Sequence, residues 1–170
     1  MLIQLREKRM PVLEFYEQAR AAKQAGVQLI INDRVDIALA VGAAGVHLGQ
    51  DDMPPEAARN LLGPQAIIGY STHNVDQAIS AAKLPIDYIA VGPIFGTTTK
   101  SDTAPILDLE GLRAVREAIG EFPLVAIGGI TLTNARAVID AGADSVAVIS
   151  ALLSGPDITT ATQTLLESLR

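Results

Sequence analysis

The chain of 170 residues has no cysteine and no tryptophan, and aromatic residues make up only 4% of it. Without cysteine there can be no disulfide, no thiol nucleophile and no thiolate metal site, and the composition is compatible with a cytoplasmic protein. With so few aromatics, and hydrophobic residues at 49%, any core must be built from Val, Ile, Leu and Ala. That composition suits parallel strands covered on both faces by helices. Basic runs are also absent and the net charge is -6, so a nucleic-acid partner is not expected. A local basic cluster can still oppose that global charge at a phosphate site. Apolar runs break off well short of a membrane-spanning length, so no membrane partner is expected. The opening Met1-Leu2-Ile3-Gln4-Leu5-Arg6-Glu7-Lys8 lacks the apolar core of a signal peptide.

What the chain does have is alternation. Seven strand-forming runs lie near residues 2–5, 28–31, 45–48, 66–70, 88–91, 124–127 and 145–149. Helical patterns cover residues 12–25, 34–41, a stretch opened by Pro54-Pro55, then 75–84, 109–119, 135–141 and 159–169. Gly26, Gly42, Gly120 and Gly142 follow four of these as C-terminal stops, and Asn74 stands where an N-cap belongs. Strand-helix alternation of this kind predicts an α/β fold with a parallel sheet. There is weak repetition: Gly42-Ala43-Ala44-Gly45-Val46 resembles Gly142-Ala143-Asp144-Ser145-Val146, and Asp87-Tyr88-Ile89-Ala90-Val91 echoes Asp144-Ser145-Val146-Ala147-Val148. Repeated βα units favour a TIM (β/α)8-type barrel over a doubly wound sheet. Eight strands are needed and seven are found, so the expectation is one domain over residues 1–170 that lacks its first βα unit. The flanking runs at 2–5 and 145–149 would then present open edges, which leaves room for a homo-oligomer.

The polar residues gather where runs end. Asp87 to Val91 reads as a buried strand, and Gly92-Pro93-Ile94-Phe95-Gly96-Thr97-Thr98-Thr99-Lys100 must leave it as a loop. Three hydroxyls and an ammonium can grip an anion, or form an ordinary solvated loop. Gln4, Arg6 and Lys8 close the first run, with Arg6 offering a planar fork for phosphate; a plain charged loop is the alternative. Asn32-Asp33 and Gln50-Asp51-Asp52 follow neighbouring strands, so Asp33 and Asp52 can converge on Mg²⁺, a hard ion that prefers oxygen. Equally, both could cap the helices that follow. Ser71 ends the fourth run with His73 two residues on, but no nucleophile elbow surrounds it, so hydrogen bonding suits it better than covalent catalysis. His47, inside an apolar run, reads as a hydrogen-bonded structural residue. Gly128-Gly129 lets backbone N–H groups approach an anion, or merely makes a tight turn.

In order, the motifs Gln4-Leu5-Arg6-Glu7-Lys8, Ile31-Asn32-Asp33, Gly45-Val46-His47-Leu48-Gly49-Gln50-Asp51-Asp52, Gly69-Tyr70-Ser71-Thr72-His73, Val91 through Lys100, Ala126-Ile127-Gly128-Gly129-Ile130 and Gly142 through Ser150 resemble the thiamine-phosphate synthase family along nearly the whole chain. The resemblance implies a TIM barrel that joins a hydroxymethylpyrimidine diphosphate to a thiazole phosphate and releases pyrophosphate. It implies Mg²⁺ on Asp33 and Asp52. Gln4, Arg6, Lys8, Asn32, Ser71 and Lys100 would contact the diphosphate or pyrimidine, with Ser71, Lys100 and Arg6 as the catalytic set. Thr97, Thr99, Gly129, Ile149 and Ser150 would contact the thiazole phosphate. No protein nucleophile is required, since diphosphate leaves and the thiazole nitrogen attacks. The chain departs from the family at Gly96, where Pro is common, and in having no strand and helix before Gln4. Two other readings compete: a tautomerase-like or regulatory relative, which typically lacks the Thr-x-Thr-Lys loop, and an inactive barrel fragment that binds only phosphate or a partner chain.

Overall fold

Parallel strands and helices alternate along the chain as the sequence patterns predict. The computed structural model describes residues 2–97 and 104–169. Its elements are β1 (Ile3–Leu5), α1 (Val12–Gln24), β2 (Leu29–Asn32), α2 (Val35–Val41), β3 (Gly45–Leu48), α3 (Pro55–Leu62), β4 (Ile67–Thr72), α4 (Val75–Ala81), β5 (Tyr88–Val91), α5 (Asp108–Ile119), β6 (Leu124–Ile127), α6 (Ala135–Asp140), β7 (Ser145–Ala147), α7 (Ser150–Leu153) and α8 (Ile158–Ser168). The fold class is α/β of the TIM-barrel type, with seven strands among the described residues.

Contacts within the chain group it into two compact units. The first holds residues up to Ser71 together with Leu84–Asp87; the second holds Thr72–Lys83 and the chain from Tyr88 onward. In the first unit, β1, β2, β3 and β4 pair in parallel in that order. All four residues of β2 and all four of β3 are buried, so the weak alternation of these runs reflects two covered faces. The core is aliphatic, centred on Leu29, Ile31, Val46, Leu48 and Ile68, joined by the Phe15 ring of α1. In the second unit β5, β6 and β7 pair in parallel. Ile89, Val91, Leu124 and Ala126 are fully buried there, as are Leu112 and Val115 of α5 and Val138 of α6.

Several element ends differ from expectation: α4, expected to reach residue 84, stops at Ala81, and three others have visible causes. β4 runs to Thr72, two residues past the apolar run, because Thr72 turns inward and gives its hydroxyl to the Ala90 carbonyl. β7 stops at Ala147 although the β-forming run continues to Ile149. There the backbone turns, and the Ile149 carbonyl accepts N–H groups of Leu152 and Leu153, starting the unexpected α7. The helix after β5 begins at Asp108, whose own carboxylate accepts the N–H groups of Glu110 and Gly111.

Each unit carries the same ionic clamp, which gives the sequence repeat a physical cause. Arg59 of α3 donates to the carbonyls of Ala66 at 2.5 Å and Pro85 at 3.1 Å, and to Asp87 Oδ2 at 2.7 Å. The same Oδ2 accepts the Ile68 N–H at 2.6 Å, while the Asp87 N–H returns a bond to the Ile68 carbonyl. Arg116 of α5 repeats this: its guanidinium reaches the carbonyls of Gly120, Phe122 and Gly142, and Asp144 Oδ2 at 2.6 Å. Asp144 Oδ2 also accepts the Leu124 N–H at 2.8 Å, and the Asp144 N–H returns to the Leu124 carbonyl. A Cβ at Gly142 would meet the Arg116 stem at 2.8 Å, so glycine there makes room for the clamp. Arg59 is only 18% exposed, so its bonds are shielded from competing water. Replacing Asp87 by Ala strands a guanidinium and a strand N–H together, and we expect a loss of about 1–3 kcal/mol in urea denaturation. The Arg59→Met, Asp87→Ala pair should cost less than the sum of its singles; strict additivity would mean the two groups do not interact.

Candidate functional site

The registers of the first unit decide which polar side chains share a face. Gln4 is level with Ile30, Asn32 with His47, and His47 with Gly69. Paired residues of parallel strands point the same way and residues two apart share a side. Gln4, Asn32, His47 and Ser71 therefore project from one sheet face, and Arg6 continues the period of Gln4 just past β1. Ile31, Val46, Leu48 and Ile68 take the other face, against the helices. The sheet thus separates a polar side from its greasy backing, and in β2 and β3 both faces are buried.

At the carboxyl ends the acidic pair comes together. Asp33 follows β2 with φ +63, a left-handed backbone that few residues other than Gly, Asn and Asp adopt readily. Its N–H bonds the His47 carbonyl at 2.8 Å, so the turn is anchored to β3. Asp52 Oδ2 accepts the Gly49 N–H at 2.6 Å, closing a tight turn after β3. Neither carboxylate caps a helix: the caps of α2 and α3 are Arg34 and Pro54, with no side-chain bond to either helix. Instead burial first, and the nearby Asp52 carboxylate second, push the Asp33 carboxyl above its ordinary value of 3.8, while Lys8 opposes the shift. The Lys8 ammonium stands 3.3 Å from Asp33 Oδ2. Two like charges held together this way leave room for a further cation. Among the described residues no group of three or more His, Asp or Glu side chains forms a complete metal cage. A two-carboxylate donor set of hard oxygens suits Mg²⁺ that takes its other ligands from water and phosphate.

Asn32 and His47 are buried, Asp33, Asp52 and Ser71 half-buried, and Gln4, Arg6 and Lys8 exposed. Ser71 lies inside β4 rather than beyond it. Its Oγ is 2.8 Å from His47 Nε2, and the Gln50 side-chain amide donates to its carbonyl at 2.5 Å. His73, two residues on, bonds the Gly92 carbonyl through Nδ1 at 2.6 Å instead. The Ser-x-His spacing is thus no dyad, and the histidine beside Ser71 is the one buried in β3. Sequence reasoning missed Gln50 as a neighbour of Ser71, because a bond from one loop to the next strand leaves no local pattern.

In the second unit the loop after β5 lies along the start of the loop after β6. Ile94 and Phe95 N–H groups bond the Ile127 and Gly128 carbonyls, both at 3.0 Å. Gly128 and Gly129 have φ +101 and +63, and a Cβ on either would meet a neighbour at 2.6 Å. These glycines are therefore a close-approach requirement as well as a turn. Thr97 is half-buried, while Ile149 and Ser150 are exposed at the start of α7. Thr99 and Lys100 lie outside the described residues. Asn134 was also missed: its side chain bonds the Gly129 carbonyl and the Thr131 N–H. A Thr-x-x-Asn capping pattern in residues 131–134 was the available signal.

The model of the thiamine monophosphate synthase family matches residues 1–152. The chain belongs to that family. It is 53% identical over 159 residues to a thiamine-phosphate synthase of Albidiferax ferrireducens, covering 91% of this chain and 72% of the relative. It is 48% identical over 168 residues to one of Chloroflexus aurantiacus, covering 96% and 77%. The solved thiamine phosphate pyrophosphorylase of Pyrococcus furiosus superimposes with a TM-score of 0.88 at 40% identity, covering 99% of this chain and 82% of that one.

The raised Asp33 carboxyl predicts a pH signature in metal-free protein. A carboxyl raised by folding contributes stability that is complete at low pH and is lost as pH climbs through its folded value. Asp33→Asn tolerates the same left-handed backbone and removes that loss. In urea denaturation with chelator, the variant should match the parent near pH 3 and gain on it between pH 4 and 7, a window on the order of the carboxylate range. A variant less stable than the parent at pH 7 would mean that attraction to Lys8 outweighs the acidic pair.

Proposed function

We propose that this chain is a transferase that condenses hydroxymethylpyrimidine diphosphate with thiazole phosphate, forming thiamine phosphate and pyrophosphate. The observation that carries the reading is the convergence of the Asp33–Asp52 pair with the polar face of Gln4, Asn32 and Ser71, in a member of this family. Asp33 and Asp52 would hold Mg²⁺. When bound, that ion supplies charge neutralisation for the diphosphate oxygens.

The protein's own part is to bind, orient and stabilise charge. Gln4, Asn32 and Ser71 orient the pyrimidine and its diphosphate, and Arg6, Lys8 and Lys100 balance the negative charge that grows on the leaving group. The bond between the pyrimidine methylene carbon and the bridging oxygen breaks, and its electron pair leaves with pyrophosphate. The electron-rich pyrimidine bears the resulting cation, and the lone pair of the thiazole nitrogen forms the new C–N bond. Thr97, Thr99, Gly129, Ile149 and Ser150 hold the thiazole phosphate. Ser71, Lys100 and Arg6 carry the catalytic burden through hydrogen bonds and charge, and no covalent enzyme intermediate is involved.

The same reading takes residues 1–170 as one domain working on small molecules in the cytoplasm, and it leaves room for a homo-oligomer. The family match over residues 1–152 supports the single domain and its small-molecule substrates; among the described residues no helix is long and apolar enough to cross a membrane.

Pyrophosphate release should require both substrates and Mg²⁺. Release from the pyrimidine diphosphate alone would indicate a hydrolase, and isomerisation of the thiazole without release would indicate a tautomerase. Losing one charge-assisted donor to the transition state costs on the order of 3 kcal/mol, or about a hundredfold in rate. Lys100→Ala should show a loss of that size and Lys83→Ala, at an exposed position just past α4, almost none; equal small effects would remove Lys100 from the mechanism. Asp52→Asn should abolish turnover at low Mg²⁺ while leaving the fold intact.

A further inference from the structure

Asn134 makes three hydrogen bonds that ordinary capping does not require together. Its Oδ1 accepts the Thr131 N–H at 2.7 Å, and its own N–H gives to Thr131 Oγ1 at 3.3 Å. Those two bonds form a reciprocal capping box, a job for which Asp, Glu or Gln would serve as well. The third bond runs from Nδ2 to the Gly129 carbonyl at 3.1 Å, and a carboxylate cannot make it. The amide is therefore explained by Gly129 and not by the cap.

Holding that carbonyl fixes more than one atom. In a planar trans peptide the C=O and the following N–H point in opposite directions. The Gly128 carbonyl is taken by the Phe95 N–H at 3.0 Å, which aims the Gly129 N–H away from Phe95. The Gly129 carbonyl is taken by Asn134, which aims the Ile130 N–H away from Asn134. Among the described residues neither N–H is given to any acceptor, although Ile130 is buried. Backbone donors in buried segments are almost always paired, so two successive donors with fixed directions call for an acceptor from outside the chain.

We propose that Asn134 is a positioning residue for the thiazole-phosphate half of the reaction: its side-chain amide locks the Gly129–Ile130 peptide so that the Ile130 N–H meets the phosphate beside the Gly129 N–H, which the Phe95–Gly128 bond orients. This rests on the assignment of Gly129 to that substrate. Asn134 touches no reacting atom, so its effect belongs to binding and is confined to one substrate.

The test compares Asn134→Asp with Thr131→Ala. Asn134→Asp keeps the acceptor of the capping box and loses only the tie to Gly129. It should raise the KM for thiazole phosphate about tenfold, the worth of one well-placed hydrogen bond, with the KM for pyrimidine diphosphate unchanged. Thr131→Ala weakens the cap and keeps the Gly129 tie, so it should lower the melting temperature without moving either KM. An unchanged thiazole-phosphate KM in Asn134→Asp overturns the proposal, as does an equal rise for both substrates, or the same selective rise in Thr131→Ala. If Asn134→Asp does not fold, Asn134→Ala takes its place in the comparison. Should the parent protein show no turnover with both substrates, the functional reading falls by itself. Calorimetric titration of thiazole phosphate into parent and Asn134→Asp then decides the positioning role, and equal affinities overturn it.

Discussion

Parallel pairing in register is the constraint on which the rest depends. Once Ile3 is level with Leu29 and Ile30 with Gly45, each strand has only one choice of which residues face which side. A slip of one residue would turn Asn32 and His47 to the helices and bring Ile31 and Val46 onto the polar face. The carboxyl ends of β2 and β3 also end at matched heights, with Asn32 opposite His47. The Asp33 and Asp52 turns thus converge although nineteen residues separate them in the chain.

The two ends of the strands carry different loads. Asp87 and Asp144 precede β5 and β7, and each joins an arginine from a helix to the backbone of a neighbouring strand. Those charges are satisfied by partners within their own unit and serve the fold. Beyond the carboxyl ends the opposite holds. Asp33 takes a left-handed backbone, shares its space with a second carboxylate, and among the described residues has Lys8 as its counter-charge. In the second unit, the Gly129 and Ile130 N–H groups have no acceptor among the described residues. Local rules of stability are broken at one end and kept at the other, the pattern expected where a barrel-type fold binds its ligands.

Much of this was legible beforehand. The aliphatic composition and strand-helix alternation pointed to a parallel α/β fold, and β2, β3 and β5 fall within a residue of where their apolar runs lie. Asn74 caps α4 through the Gln77 N–H, as its position suggested. The ends of β4 and β7 were not legible, because a strand stops where its ladder partner or inward side chain stops, and neither is a local property. The same limit hid Gln50 and Asn134, whose bonds to Ser71 and Gly129 cross between loops.

The sequence by itself determined the class of fold, the alternation of elements, the order of the site motifs and the chemistry those motifs could support. Residue type and spacing suffice for these, because they follow from periodicity, turn chemistry and the donors each side chain carries. Only the tertiary structure decided that Asp33 and Asp52 meet each other instead of capping α2 and α3, that Ser71 pairs with His47 instead of His73, and that Asn134 holds a carbonyl of the Gly128-Gly129 turn. Each is a choice between partners of equal chemical merit. The choice falls to whichever partner the strand register and loop path bring within about 3 Å, the reach of a hydrogen bond.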